Sequence, residues 1–207
     1  MTYLPILTLL LLLPTIGVRA EEAIDDSTPA KAIASLTDPA KLATLKGERA
    51  ANPRLQKCLY WLASAGARGE KPEAVLDEAL QLNRTAGTLY GGFVRWGILE
   101  NLRLAKEYGI LTPQGMAELR QGNSATITMG VYAGQEAEVD YVIPLALPEL
   151  RNQVFNLELL PTKLKRAKGA KIGERQKVFG KELHDAGLLS DLGLLEISVR
   201  SAPEAWQ

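Results

Sequence analysis

The feature that most constrains this chain is a change in the period of its apolar residues. Up to about residue 121 they recur at helical spacing. Beyond it, "GNSATITMG", "AEVDYVIP" and "FNLELLP" have the β-branched, glycine- and proline-bounded composition of short strands. A long helical region followed by a few short strands and more helix predicts an α+β fold, with the strands gathered in a small module beside the helices.

The helical region divides at its prolines. Asp38-Pro39 has the form of an N-cap followed by proline at the first helical position. Pro53 opens a helix with Leu55, Cys58, Leu59 and Leu62 on one face, and Pro72 opens another with Val75, Leu76, Ala79 and Leu80. The stretch 89–108 carries Val94, Ile98, Leu102 and Ala105 beside Phe93 and Trp96, and Thr112-Pro113 caps a short helix after it. Trp61, Trp96, Phe93 and Tyr90 read as core rather than as a ligand cage. Cys58 is the only cysteine, so no intramolecular disulfide forms, and helical spacing predicts a buried, inert thiol. The expected organisation is a helical region over 36–121, a strand-and-helix module over 122–190, and a tail over 191–207.

The N-terminus reads differently. "LPILTLLLLLPTIGV" is too short and too broken by proline for a comfortable membrane span, and Val18-Arg19-Ala20 suits a signal peptidase. Residues 1–20 are therefore expected to be an export signal, with an uncleaved anchor as the alternative, and the acidic stretch 21–35 a flexible leader. Export implies a periplasmic or secreted protein without a stable membrane span. Asn83-Arg84-Thr85 fits a glycosylation sequon that matters only in a eukaryotic secretory route.

Several chemistries lack their residues. One cysteine and one histidine build no zinc site of familiar spacing. His184-Asp185 has no Gly-x-Ser-x-Gly elbow to serve, and "GAKIG" is too short for a phosphate-binding loop.

One stretch is specific. "VDYVIP…NLELLPTKLKRAK" gives strand, loop, strand and basic helix in order, with Asp140 near the end of the first strand. It resembles the HNH endonuclease family, whose ββα-metal fold is worded Val-Asp-His-Ile-(Val/Ile)-Pro, then Asn-Leu, then Asn or His and a basic residue on the helix. The match covers about residues 124–172. The resemblance implies that Asp140 is a metal-ligand carboxylate and that Pro144 turns the chain out of the strand. It also implies that Asn156 ties the loop to the hairpin. Tyr141 stands where the family has its general-base histidine, Lys165 where it has its second metal ligand, and Lys168 at the basic position one turn later.

The two replacements undermine the family's reaction, which needs a base for water and a divalent cation such as Mg²⁺ at the phosphate. A phenol of pKa near 10 is ionised in about one molecule in a thousand at pH 7, a handicap of about 4 kcal/mol. An ammonium about 4 Å from a dication repels it by roughly 2 kcal/mol even in water. Lys165 is expected to pair with Asp140 in the emptied site. In a sharper version Lys165 stabilises phosphate and Tyr141 acts as base or nucleophile. Arg151, Lys163, Lys165, Arg166, Lys168, Lys171, Arg175, Lys177 and Lys181 crowd one stretch of a chain whose formal net charge is zero. Lys163, Arg166, Lys168 and Lys171 are the candidate contacts to DNA or RNA. The functional expectation is an exported HNH-like protein impaired in catalysis. The alternatives are an altered, metal-independent nuclease and an envelope interaction protein without a nucleic-acid role.

Overall fold

A computed structural model describes residues 28–144 and 147–200. The expected signal, the leader as far as residue 27 and the tail from 201 lie outside the described residues. The architecture is α+β, as the change of period predicts.

The helices are α1 (Pro29–Thr37), α2 (Pro39–Ala43), α3 (Asn52–Ala67), α4 (Pro72–Leu82), α5 (Leu89–Glu107) and α6 (Pro113–Gln121). Then come β1 (Ala125–Thr126), β2 (Glu136–Tyr141) and β3 (Leu157–Pro161), followed by α7 (Thr162–Lys168), α8 (Glu174–Asp185) and α9 (Asp191–Val199). The starts follow the sequence signals. Asp38 Oδ1 accepts from Ala40 N at 2.9 Å, and Thr112 Oγ1 from Gly115 N at 3.1 Å. Gly122, at φ +83°, ends α6 against Pro53, where a Cβ would meet the proline at 2.7 Å.

One expectation is corrected here. Residues 29–35 are not leader: they belong to α1, which buries Ala30, Ile33 and Ala34 against α3 and α4. Small residues let α1 pack closely, and proline at its start needs no hydrogen-bonded N–H. Asn83, the sequon asparagine, holds this helix by donating to Ala34 O at 3.0 Å and Thr37 Oγ1 at 3.1 Å.

The sheet is antiparallel in the order β1-β2-β3. Helices and sheet share one hydrophobic core that runs from Ile33 through Leu59 and Ile98 to Leu157 and Leu159. Helix α5 lies along the outer edge of β3. Gly97 allows this approach, since a Cβ there would sit 3.0 Å from Phe155 Cα. Buried Asn101 then acts as a strand partner, donating to Leu157 O at 2.8 Å and accepting from Leu159 N at 2.7 Å. An edge strand offers unpaired backbone groups, and the carboxamide satisfies them inside the core. Tyr90 and Phe93 meet Phe155 and, like Trp61 beside Tyr60, pack half-buried against the core, whereas Trp96, against Phe179, is 47% exposed and is not the core residue expected. Burial pushes the Cys58 thiol up to about 12, which makes it inert at physiological pH. Among the described residues no helix is long and apolar enough to cross a membrane.

Candidate functional site: a hairpin and helix closed by ion pairs

The stretch 136–168 folds as hairpin and helix. β2 and β3 pair in register, with Asp140 opposite Glu158 and Tyr141 opposite Leu157. Asn156 lies 1% exposed beneath the loop that Pro144 begins. Its Oδ1 accepts from Ile143 N at 2.9 Å, and its Nδ2 donates to Ile143 O at 3.0 Å and to Leu150 O at 3.5 Å. A loop buried this way needs its backbone groups satisfied, and one carboxamide supplies both polarities.

Strand alternation sends Tyr141 and Val139 to the core and Glu138 and Asp140 to the face covered by α7. Asp140 and Glu158 are therefore two carboxylates directly opposite one another on a single face. Unbalanced, that arrangement is repulsive. Lys168 balances it. Its side chain is 5% exposed, and its ammonium lies 2.9 Å from Asp140 Oδ2 and 3.2 Å from Glu158 Oε1. The same ammonium donates to Tyr141 O. The contact to Glu158 is ionic without hydrogen-bond geometry, so Glu158 Oε1 has no hydrogen-bond partner. Arg175 of α8 meets the other oxygen, Glu158 Oε2, at 2.6 Å.

Lys165 does not meet Asp140. It lies one helical turn earlier, 2.7 Å from Glu138 Oε2, and donates to Val139 O at 3.2 Å. Thr162 Oγ1 donates to Glu138 Oε1 at 2.8 Å. The Lys165 hydrogen bond is the main reason that the Glu138 carboxyl titrates below the usual range, with that from Thr162 adding to it against partial burial. The expected Asp140–Lys165 pair is thus replaced by two pairs, Lys165–Glu138 and Lys168–Asp140. Strand and helix run alongside each other. A step of two residues on β2 advances about 6.6 Å, a step of three on α7 about 4.5 Å, and flexible lysines absorb the difference.

Tyr141 is buried, and its hydroxyl donates to the Glu48 carbonyl, away from Asp140. Desolvation raises its pKa, with the Glu48 and Asp140 charges adding to the rise and the nearby Arg151 and Arg49 opposing it. It is a structural hydroxyl on the far face of the strand rather than a base beside Asp140.

A divalent cation, which the family resemblance implies, does not fit these residues. Beside Asp140 the oxygens point at an ammonium, and Lys165 supplies no oxygen ligand. No group of three or more His, Cys, Asp or Glu side chains suited to a metal occurs among the described residues.

The four candidate nucleic-acid contacts divide. Lys163, Arg166 and Lys171 are exposed, whereas Lys168 is buried and committed to its carboxylates. The basic stretch is also less positive than its sequence, because Arg175, Lys177 and Lys181 each meet a carboxylate within 3.6 Å. His184 is an ordinary helix residue bonded to Asp191 at 2.7 Å. Glu158, which completes the cluster, was not among the sequence candidates. Its place opposite Asp140 depends on the hairpin register, and an acidic residue between two leucines was the only local signal.

Compared with protein-family models, curated proteins and solved structures, the chain matches none.

Proposed function

We propose that this chain is an exported HNH-endonuclease-like protein in which a lysine ammonium has taken the cation's place, so that it binds polyanions without cleaving them. The observation that carries the reading is the position of Lys168 Nζ, 2.9 Å from Asp140 and 3.2 Å from Glu158. A nuclease of this kind gains its rate from a cation at the phosphate and a base at the water. Here the carboxylates are neutralised internally, and the tyrosine at the base position is turned into the core with its proton held more tightly than usual. The same facts weigh against the metal-independent nuclease.

Binding is assigned to the exposed side of α7, where Lys163 and Arg166 are solvent-facing. Export rests on the apolar N-terminal run and the Val18-Arg19-Ala20 site. The test is retention on duplex DNA at increasing salt, alongside incubation with supercoiled plasmid in Mg²⁺ or Mn²⁺. The expected result is intact plasmid and retention that falls with salt, with the logarithmic slope reduced by about 0.9 for each phosphate contact removed in Lys163→Glu or Arg166→Glu. Retention indifferent to both substitutions would leave the interaction-protein reading in its place.

A further inference from the structure

A second site adjoins the first: Lys165 and Glu138, already paired with each other, belong to its lining. Between α3, α6 and the β1–β2 edge is an open cleft of about 750 Å³, within the range of about 300–1,000 Å³ usual for small-molecule sites. We propose that it binds a short peptide through its backbone and its free carboxylate.

The lining is polar where ligand pockets are usually apolar. Asn52, Gln56, Gln114 and Asn123 line it together with Ser124 and Thr126. Asn52 is the key residue. Its Nδ2 donates to Val139 O at 3.2 Å, which fixes the carboxamide, and its Oδ1 is buried without a hydrogen-bond partner. A buried acceptor left unpaired is unfavourable, so this one calls for a donor from whatever fills the cleft. Gln56, 4% exposed, reaches Ser124 Oγ only at 3.4 Å, so it too has hydrogen-bonding capacity to offer. Peptide N–H and C=O groups match such carboxamides in both polarities. No aromatic side chain lines the cleft to carry the apolar face of a sugar ring.

Charge gives the site a direction. Arg49 stands ahead of the N-terminus of α3, whose Ala51 N-cap contributes no side-chain cap, and the helix dipole adds positive potential there. Glu136 stands on the β2 wall. Both are exposed, and neither forms an ion pair among the described residues, whereas of the cleft's other charged side chains Lys165 and Glu138 pair with each other and Glu118 accepts from Asn123 Nδ2 at 3.0 Å. A carboxylate at Arg49 and an ammonium toward Glu136 satisfy both, with the backbone between them over Asn52 and Gln56. None of this depends on Lys168 or on polyanion binding by α7.

The test titrates trialanine, its C-terminal amide and an N-acetylglucosamine trimer into the full chain, followed by the side-chain amide NMR signals of Asn52 and Gln56. Trialanine is expected to shift both saturably. Arg49→Gln is expected to weaken it about tenfold, the loss of one charge-assisted hydrogen bond. Amidation should weaken wild type equally and have no further effect on Arg49→Gln, since both changes remove the same contact. Glu136→Gln should weaken trialanine and its amide alike. Both side chains are exposed, so the variants keep the fold, which circular dichroism checks. Shifts caused by the sugar trimer but not the peptides would overturn the proposal. So would the absence of any saturable shift, or an Arg49→Gln variant that binds trialanine as wild type does.

Discussion

The ammonium of Lys168 lies 2.9 Å from the carboxylate of Asp140, on the face where β2 and β3 bring Asp140 and Glu158 opposite each other. Two carboxylates paired across strands and covered by a helix require a cation, and this chain supplies one from its own α7.

Removing the ammonium leaves the carboxylates uncompensated. Lys168→Met is expected to lose about 3–5 kcal/mol in urea unfolding near neutral pH, the usual effect of breaking a buried ion pair from one side. Lys165→Met should lose less, because the Lys165–Glu138 pair is more exposed, at 16% and 28%. Equal losses would mean that Lys168 has no special place.

Asn156 and Asn101 each satisfy backbone that the fold buries. Asn156→Leu and Asn101→Leu should each destabilise by about 1–3 kcal/mol for every backbone group left unpaired. Hydrogen exchange distinguishes them: Asn156→Leu should release Ile143 N–H, and Asn101→Leu should release Leu159 N–H. Protection unchanged in either variant would show that the carboxamide is not that group's partner.

Tyr141 is expected to titrate above the ordinary phenol range of about 10, because burial disfavours the phenolate. A folded-state pKa above the unfolded value stabilises the protein below the unfolded pKa, and the contribution is lost as pH rises through the folded one. Stability should therefore fall in alkali beyond about pH 10, and Tyr141→Phe should flatten that part of the profile. A profile unchanged by the substitution would contradict this placement of the hydroxyl.

The lone histidine gives a second pH probe. Hydrogen bonding to Asp191 chiefly raises the His184 pKa. Its contribution is fully present below the unfolded pKa of about 6.5 and disappears as pH rises through the raised folded value. In Asp191→Asn the imidazole NMR titration should move back toward about 6.5; no movement would show that the bond to Asp191 does not set the pKa.

Much of this arrangement was legible in the residues. Helix starts were marked by Asp38-Pro39, Pro72 and Thr112-Pro113, because capping and proline act locally. The hairpin and the role of Asn156 toward its loop followed from the motif. The pairing of α7 with β2 did not. Lys165 and Lys168 share a helical face, and which of them meets Asp140 depends on how far α7 slides along the strand, a tertiary quantity with no sequence period. The partnership of Asn101 with β3 was hidden for the same reason, since only packing places α5 on that edge. Residues 29–35 looked like leader because small residues carry little hydrophobic signal, although close packing against α3 and α4 makes them helix.

The most direct measurement of the central claim is thermal unfolding of wild type, Lys165→Ala and Lys168→Ala, each in Mn²⁺ and in chelator. If Lys168 holds the cation's place, wild type should unfold at one temperature whether in Mn²⁺ or in chelator, and Lys165→Ala at its own, lower temperature, likewise unmoved by Mn²⁺. Lys168→Ala, with Asp140, Glu158 and the Tyr141 carbonyl uncovered, should be destabilised in chelator and regain stability in Mn²⁺. A Mn²⁺-dependent shift in wild type, or one acquired by Lys165→Ala and not by Lys168→Ala, would contradict the account.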